Sequence, residues 1–291
     1  MITSRSNFKF ISIFVLAALF ALTLGNMVVR ADTTAGIPPF SQDWSNTGLV
    51  TTNDDWSGVP SIVGYRGDGL TVATGADPQT ILAADDPGVV DVNANQTNPN
   101  TFTTGGVAEF EITDPTIALQ GSGTADAPYI KIFLDTTGLN NVQISYDMRD
   151  IDGSTDNAIL QVPLQYRIGS TGNFTNIPAG YIADATTGPS LATLVTPVDV
   201  TLPSAVNDQS HVELRIMTTN AVGNDERVGI DNISVTANNP PTGYNLSPSS
   251  VSEKTAIWNI SWNTDSQRSK CRRYTYFCTY LIFFVCQYRR G

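Results

Sequence analysis

Cysteine is missing from almost the whole chain. The three cysteines present, Cys271, Cys278 and Cys286, all fall in the last 21 residues, at spacings of seven and eight that suit no zinc motif. Histidine is nearly absent too, since His211 stands alone. This excludes zinc–histidine clusters and leaves any Ser-His-Asp arrangement dependent on a single residue without a diagnostic partner spacing. Basic residues are scarce where they would matter. Residues 32–256 hold 7 Lys+Arg against 26 Asp+Glu, net −19. Such a surface repels phosphate backbones, so nucleic acid is excluded as a partner. The same carboxylates suit hard cations such as Ca²⁺. No G-x-S-x-G, P-loop or G-x-G-x-x-G occurs.

Long apolar runs are confined to the start. Arg5 and Lys9 precede Phe10–Gly25, followed by Val29-Arg30-Ala31 with small residues at the −3 and −1 positions of a cleavage site. The run is about 16 residues, short of the roughly 20 that span a bilayer. Residues 1–31 therefore read as a signal peptide, with a mature chain starting at Asp32, secreted or at the cell surface and without a stable membrane span. The exported part lacks disulfides, but about two hundred residues bury enough core without them.

No helical period of apolar residues stands out over 36–238, whereas alternation does. Ile130, Ile132 and Leu134 share a face, as do Val142, Ile144, Tyr146 and Met148. The clearest run is Leu160, Val162, Leu164, Tyr166 and Ile168, and Val198–Leu202, Val212–Ile216 and Val228–Val235 follow. A period of two marks half-buried strands. Pro163 cannot donate to a ladder, so its strand is bulged or at an edge there. Gly169–Asn173 is a tight turn that makes 158–168 and 173–177 a hairpin. The expectation is all-β: an antiparallel β-sandwich over 32–238. Residues 84–106 and 179–193 are long, small and polar, and read as rim loops suited to binding.

These residues resemble a known group. Phe40-Ser41-Gln42-Asp43-Trp44, the hairpin Leu164–Arg167 to Phe174–Ile177, and the closing Gly229–Val235 are similar to jelly-roll modules of secreted bacterial proteins, concanavalin-like and MAM-like. The resemblance implies a non-catalytic module for binding or adhesion, with an extracellular glycan or protein as ligand. The alternative is an accessory module of an exported hydrolase or nuclease. It also implies one structural Ca²⁺ between Asp231 and an acid near the first strand, here Asp43. Read from the residues, Val228 and Ile230 share one parity and Ile233 and Val235 the other. Either a bulge sits at Asp231-Asn232 or Asp231 points inward, where it needs a metal or an arginine such as Arg215.

Three further features have competing readings. Asp150-Ile151-Asp152-Gly153-Ser154-Thr155-Asp156 spaces oxygens like a calcium loop, but Gly153 and Gln161 break the EF-hand pattern, so an Asx-rich turn is expected. Glu109 and Glu111 form an alternating acid pair of the kind glycanases use, yet E-x-E-x-x-D suits an exposed strand face. Trp44, Trp56, Tyr65 and Tyr181 are either sugar-stacking aromatics or, for the two tryptophans, core.

Residues 239–256 read as a linker, with Asn238-Asn239-Pro240-Pro241, followed by a stretch from Pro241 to Glu253 that resembles the first strand of a bacterial cadherin-like repeat. Residues 257–291 do not continue it. Synonymous codons exist that restore the repeat in a shifted frame, because each Trp-Asn junction (Trp258-Asn259, Trp262-Asn263) becomes glycine. The segment reads as an out-of-frame, disordered tail, and the chain as cut off from a longer protein.

Overall fold

The structure is a computed structural model and describes residues 30–83, 89–153, 158–186 and 194–238. The expected export signal before Arg30, the stretch 239–256 that resembles a cadherin-like repeat, and residues 257–291 lie outside the described residues, as does Asp156. Fourteen strands follow in chain order: β1 (Arg30–Ala31), β2 (Phe40–Gln42), β3 (Asp55–Trp56), β4 (Ile62–Tyr65), β5 (Asn93–Gln96), β6 (Gly106–Phe110), β7 (Thr116–Gln120), β8 (Tyr129–Leu134), β9 (Asn140–Asp150), β10 (Val162–Ile168), β11 (Thr175–Ile182), β12 (Val195–Thr201), β13 (Val212–Met217) and β14 (Val228–Asn238). The pair β1–β3 stands apart; it includes the last two residues before the expected cleavage point.

Two sheets face each other. One runs β12-β9-β14-β7-β6-β5, with β2 added against β14, and the other runs β11-β10-β13-β8-β4. Every ladder in them is antiparallel except β5–β6. The alternation seen in the sequence fills the space between the sheets: Ile130, Ile132, Leu134, Val142, Ile144, Met148, Leu164, Leu214 and Ile216 are all buried in one core. Trp44 and Trp56 lie in that core, ring edge to ring face at 6.3 Å. Each indole N–H finds a carbonyl, Trp44 that of Ile230 at 2.8 Å and Trp56 that of Asp91 at 3.0 Å. Buried indoles need such acceptors, so both tryptophans are structural and neither is a sugar platform.

Pro163 sits where the β10–β11 register shifts between Val162 and Leu164. It is a bulge, not an edge, because β10 is flanked by β11 and β13. The hairpin is present, with Tyr166 opposite Thr175. The segment 84–106 is not all loop, because Asn93–Gln96 pairs with β6.

Alternation normally sends one face of a sheet to water. In the five-strand sheet the outward set Gln165, Arg167, Lys131, Glu213 and Arg215 is buried as well. Residues 76–83 lie across it. Arg215 donates to the Ile81 carbonyl at 2.6 Å and Asn176 to that of Gln79 at 2.8 Å. Beneath them Glu213 accepts from Lys131 at 3.0 Å and from Arg167, and the Arg215 guanidinium lies 3.9 Å over the Phe174 ring. Tyr65 stacks on Tyr129 at 4.9 Å in the same layer.

Candidate functional site

Loops between strands gather at one end of the sandwich and enclose a cleft of about 370 Å³. Asn100 and Phe102 come from the β5–β6 connection, Gln120 from the end of β7, Asp152 from just past β9, and Asn220 and Asp225 from the β13–β14 connection. The chain closes these loops on one another. Gln120 donates from its amide to the Asp225 carbonyl at 2.6 Å, and the Ala221 amide donates to Asp225 Oδ1 at 2.6 Å. Residues 221–225 thus form a finger tied back on itself. Gly121 lets that finger approach, since a Cβ there would meet Asn220 Cα at 2.4 Å. The Gly153 amide donates to Asn100 Oδ1, joining the floor to the opposite wall.

Under the cleft lies Arg227, fully buried. Its guanidinium donates to the carbonyls of Phe102 and Thr104 and stacks 4.6 Å from Phe102 and 5.4 Å from Phe110. Burial pulls its pKa down to about 10, against the pull of Asp152. The carboxylates there are pushed the other way. Burial raises Asp225 to about 6. Burial, reinforced by Asp150, Asp152 and Asp184, raises Glu226 to about 7, against a hydrogen bond with the Thr186 side chain. Asp150, Asp152 and Glu226 are all nearly or fully buried. The finger also walls a second hollow of about 310 Å³, where Ile159 and Val222 are exposed beside Gly75, Gln161 and Thr219.

The residues singled out in the sequence fall in several places. Asp231 is fully buried and Arg149 donates to it at 2.8 Å, so its partner is an arginine from the neighbouring strand, not Arg215. The β9–β14 register shifts between Asp231 and Ser234, and Asn232 has φ 51°, so the bulge is there too. Asp43 is exposed and accepts from the Ser45 hydroxyl and amide at 2.8 and 3.1 Å, which lowers its pKa. Glu109 is buried and accepts from the Asn95 amide at 2.6 Å, while Glu111 lies past the end of β6 and is exposed. The acid pair is therefore split between core and solvent. His211 faces Glu213 at 3.2 Å, and Tyr181 donates to Gln161 Oε1 at 2.8 Å. Among the described residues no three His, Cys, Asp or Glu side chains are gathered closely enough to hold a metal as they stand. None of their helices is long and apolar enough to cross a membrane.

Glu226, Asp225 and Asn220 were not singled out from the sequence. They lie about seventy residues from Asp152, and only the pairing of β9 with β14 brings them together.

No known family profile matches the chain, and no curated protein matches it. Solved structures do. A carbohydrate-binding module described as specific for non-crystalline cellulose aligns over 50% of this chain and 88% of its own, at 11% identity and TM-score 0.33. A carbohydrate-binding module in complex with β-1,4-galactotriose aligns over 43% and 72%, at 8% identity and TM-score 0.28. A cleaved adhesin domain of Lys-gingipain from Porphyromonas gingivalis aligns over 68% and 97%, at 11% identity and TM-score 0.34.

Proposed function

We propose that residues 32–238 form a secreted, non-catalytic module that binds a neutral glycan in the rim cleft. The observation that carries this reading is the lining. Asn100, Gln120, Asn220, Asn224, Asp152 and Asp225 offer amides and carboxylates, and among the described residues Phe102 is the one aromatic and no Lys, Arg or His lines the cleft. Side-chain amides donate and accept at once, and carboxylates accept from hydroxyls. A sugar ring presents hydroxyls that both donate and accept, so the two sets match. Carboxylates without an accessible cation repel uronic and sulfated sugars, as does the net charge of −19 over 32–256. Secretion is supported by the basic-then-apolar residues before Ala31.

Affinity electrophoresis tests this reading. The full chain is run through gels holding neutral polysaccharides or an anionic one. Expected is retardation by at least one neutral polymer, none by the polyuronate, and a dissociation constant about tenfold weaker in Asn220→Ala or Asn100→Ala, equivalent to about 1.4 kcal/mol. No retardation by any neutral polysaccharide, or equal retardation of the variants, overturns it.

A further inference from the structure

The finger that closes the cleft has a second side. Asn220 lines the cleft, Ala221 and Val222 line the hollow of about 310 Å³ behind it, and Gly223, Asn224 and Asp225 line the cleft again. The partition between the two hollows is therefore a single segment of chain. Adjacent segments of extended chain lie about 4.8 Å apart, so a partition one segment thick is a short step for a polymer. Gly223 sits in the middle of the finger without a side chain, and nothing lies within 4 Å of the place a Cβ would take.

This partition is fixed from both sides. Gln120 and Asp225 tie it on the side of the cleft. On the other side the Gly75 amide donates to the Asn220 carbonyl at 2.6 Å, and the Thr219 hydroxyl donates to the Ala76 carbonyl at 2.7 Å. A wall already held in place costs a ligand little ordering when it binds.

The two hollows differ in chemistry. Six large apolar side chains are exposed among the described residues, and two of them, Ile159 and Val222, at 64% and 77% exposure, line the second hollow. They come from different elements, Ile159 from just before β10 and Val222 from the finger. Apolar groups left in water at one place mark a contact surface. Gln161 lines the same hollow, and Tyr181 donates to its Oε1 at 2.8 Å, which holds the amide in place. Among the described residues no Lys, Arg or His lines it, as in the cleft. A sugar unit has hydroxyls round its edge and C–H groups on its faces. The cleft, with its amides and carboxylates, matches the edge. The second hollow matches a face, with one amide beside it for a hydroxyl.

Resting on the glycan reading of the cleft, we propose that the second hollow is a second subsite and that the ligand is a linear neutral oligosaccharide crossing the finger. One unit is held by its hydroxyls in the cleft, and the next by its C–H face against Ile159 and Val222. Chains with equatorial linkages fit this arrangement, because their units keep flat C–H faces along the chain. A single unit fills only one hollow. A longer chain makes its second contact from an already bound first one, so its affinity gains from length. Partial burial of one aliphatic side chain in that contact is worth about a tenfold gain.

The test is calorimetry on the full chain with β-1,4-linked gluco-, manno- and xylo-oligosaccharides of increasing length, starting from the single sugar. For at least one series, affinity should rise about tenfold or more between the shortest chain that binds and the chain two units longer. Val222→Ser and Ile159→Ser should each remove most of that gain, while binding of the shortest chain stays within about twofold. The two sit on different elements, so if one variant fails to fold the other still reads the second hollow. Asn220→Ala should weaken every length alike. Affinity independent of length, or a length gain kept in both serine variants, overturns the second subsite and leaves the cleft standing. No binding at any length overturns both readings.

Discussion

Arg149 donates to Asp231 at 2.8 Å across the β9–β14 pair, and this contact decides how a fully buried carboxylate is tolerated in the last strand. The same guanidinium holds Asp114 at 3.2 Å, and the Asn232 amide donates to the other oxygen of Asp231 at 2.7 Å. Burial still raises the Asp231 pKa, against the amide and Arg149. Removing the arginine would strand the charge. Arg149→Met is expected to cost about 3–5 kcal/mol in denaturant unfolding, the usual penalty for breaking a buried pair from one side. Adding Asp231→Asn to that variant should recover part of the loss, because no charge is then left behind. A cost below about 1 kcal/mol for Arg149→Met would show the pair to be solvent-screened.

Two buried carboxylates beside β6, Asp91 and Glu109, contribute a pH dependence. Burial raises Asp91 to about 6, against a hydrogen bond from the Val107 amide. Burial raises Glu109 to about 7, against one from the Asn95 amide and with help from Glu111. An acid whose folded pKa lies above its unfolded value binds its proton more tightly when folded. The folded state is therefore penalised above the folded pKa, and the penalty fades as the pH falls towards the unfolded value. The domain should be more stable near pH 5 than near pH 8, with a contribution on the order of 1–3 kcal/mol from each group. Glu109→Gln keeps an acceptor for Asn95 and cannot ionise, so its profile between pH 5 and 8 should be flatter. A profile unchanged by this substitution would remove Glu109 from the account.

The central strands were legible in the sequence because their inner residues are apolar and alternate. Leu164, Tyr166 and Ile216 needed no other signal, and the parity break at Asp231-Asn232 left a bulge or an inward-pointing Asp231 as alternatives, of which the structure shows both together. The covered outer face was not legible. Gln165, Arg167, Glu213 and Arg215 have the polarity of solvent-facing positions, yet they are buried because residues 76–83 return over them. That return rests on side chains reaching backbone carbonyls, which leaves no periodic trace. Glu109 misleads for a similar reason, since its partner is the amide of Asn95 in a strand too rich in Asn to be read as one. The cleft was half legible. Asp150-x-Asp152 has the spacing of a calcium loop but reads as an Asx-rich turn, and its approach to the start of β14 comes only from strand register.

The return over the outer face can be released selectively. Arg215 Nη2 donates to the Ile81 carbonyl at 2.6 Å, and its Nε to Gln165 Oε1 at 2.7 Å, while Gln165 in turn donates to Asn176 at 2.8 Å. Arg215→Met keeps the packing against Phe174 and removes the donors. Hydrogen exchange should then quicken at Ile81 and Leu82 and at the Phe174 amide, which donates to Leu82 at 2.8 Å. Protection in β9 and β14 should hold, since local opening need not pass through the core. Equal loss of protection in both sheets would mean that residues 76–83 fold as one unit with the sandwich.

The finger offers the sharpest separation of shape from stability. Asp225 Oδ1 accepts from the Ala221 amide at 2.6 Å, and its carbonyl accepts from Gln120 at 2.6 Å, so one residue sets the wall between the two hollows. Asp225→Ala deletes the first contact and keeps the second. The stability cost should be about 1 kcal/mol, that of one ordinary hydrogen bond. Glycan affinity should fall further, by about tenfold or more, because the wall loses its shape along with a lining carboxylate. Asp225→Asn retains an acceptor oxygen and should hold the finger closed, leaving affinity within about threefold of the unmodified chain. Rescue by asparagine but not alanine would identify the side chain as a positioning residue. Full affinity in Asp225→Ala would place the ligand elsewhere on the rim.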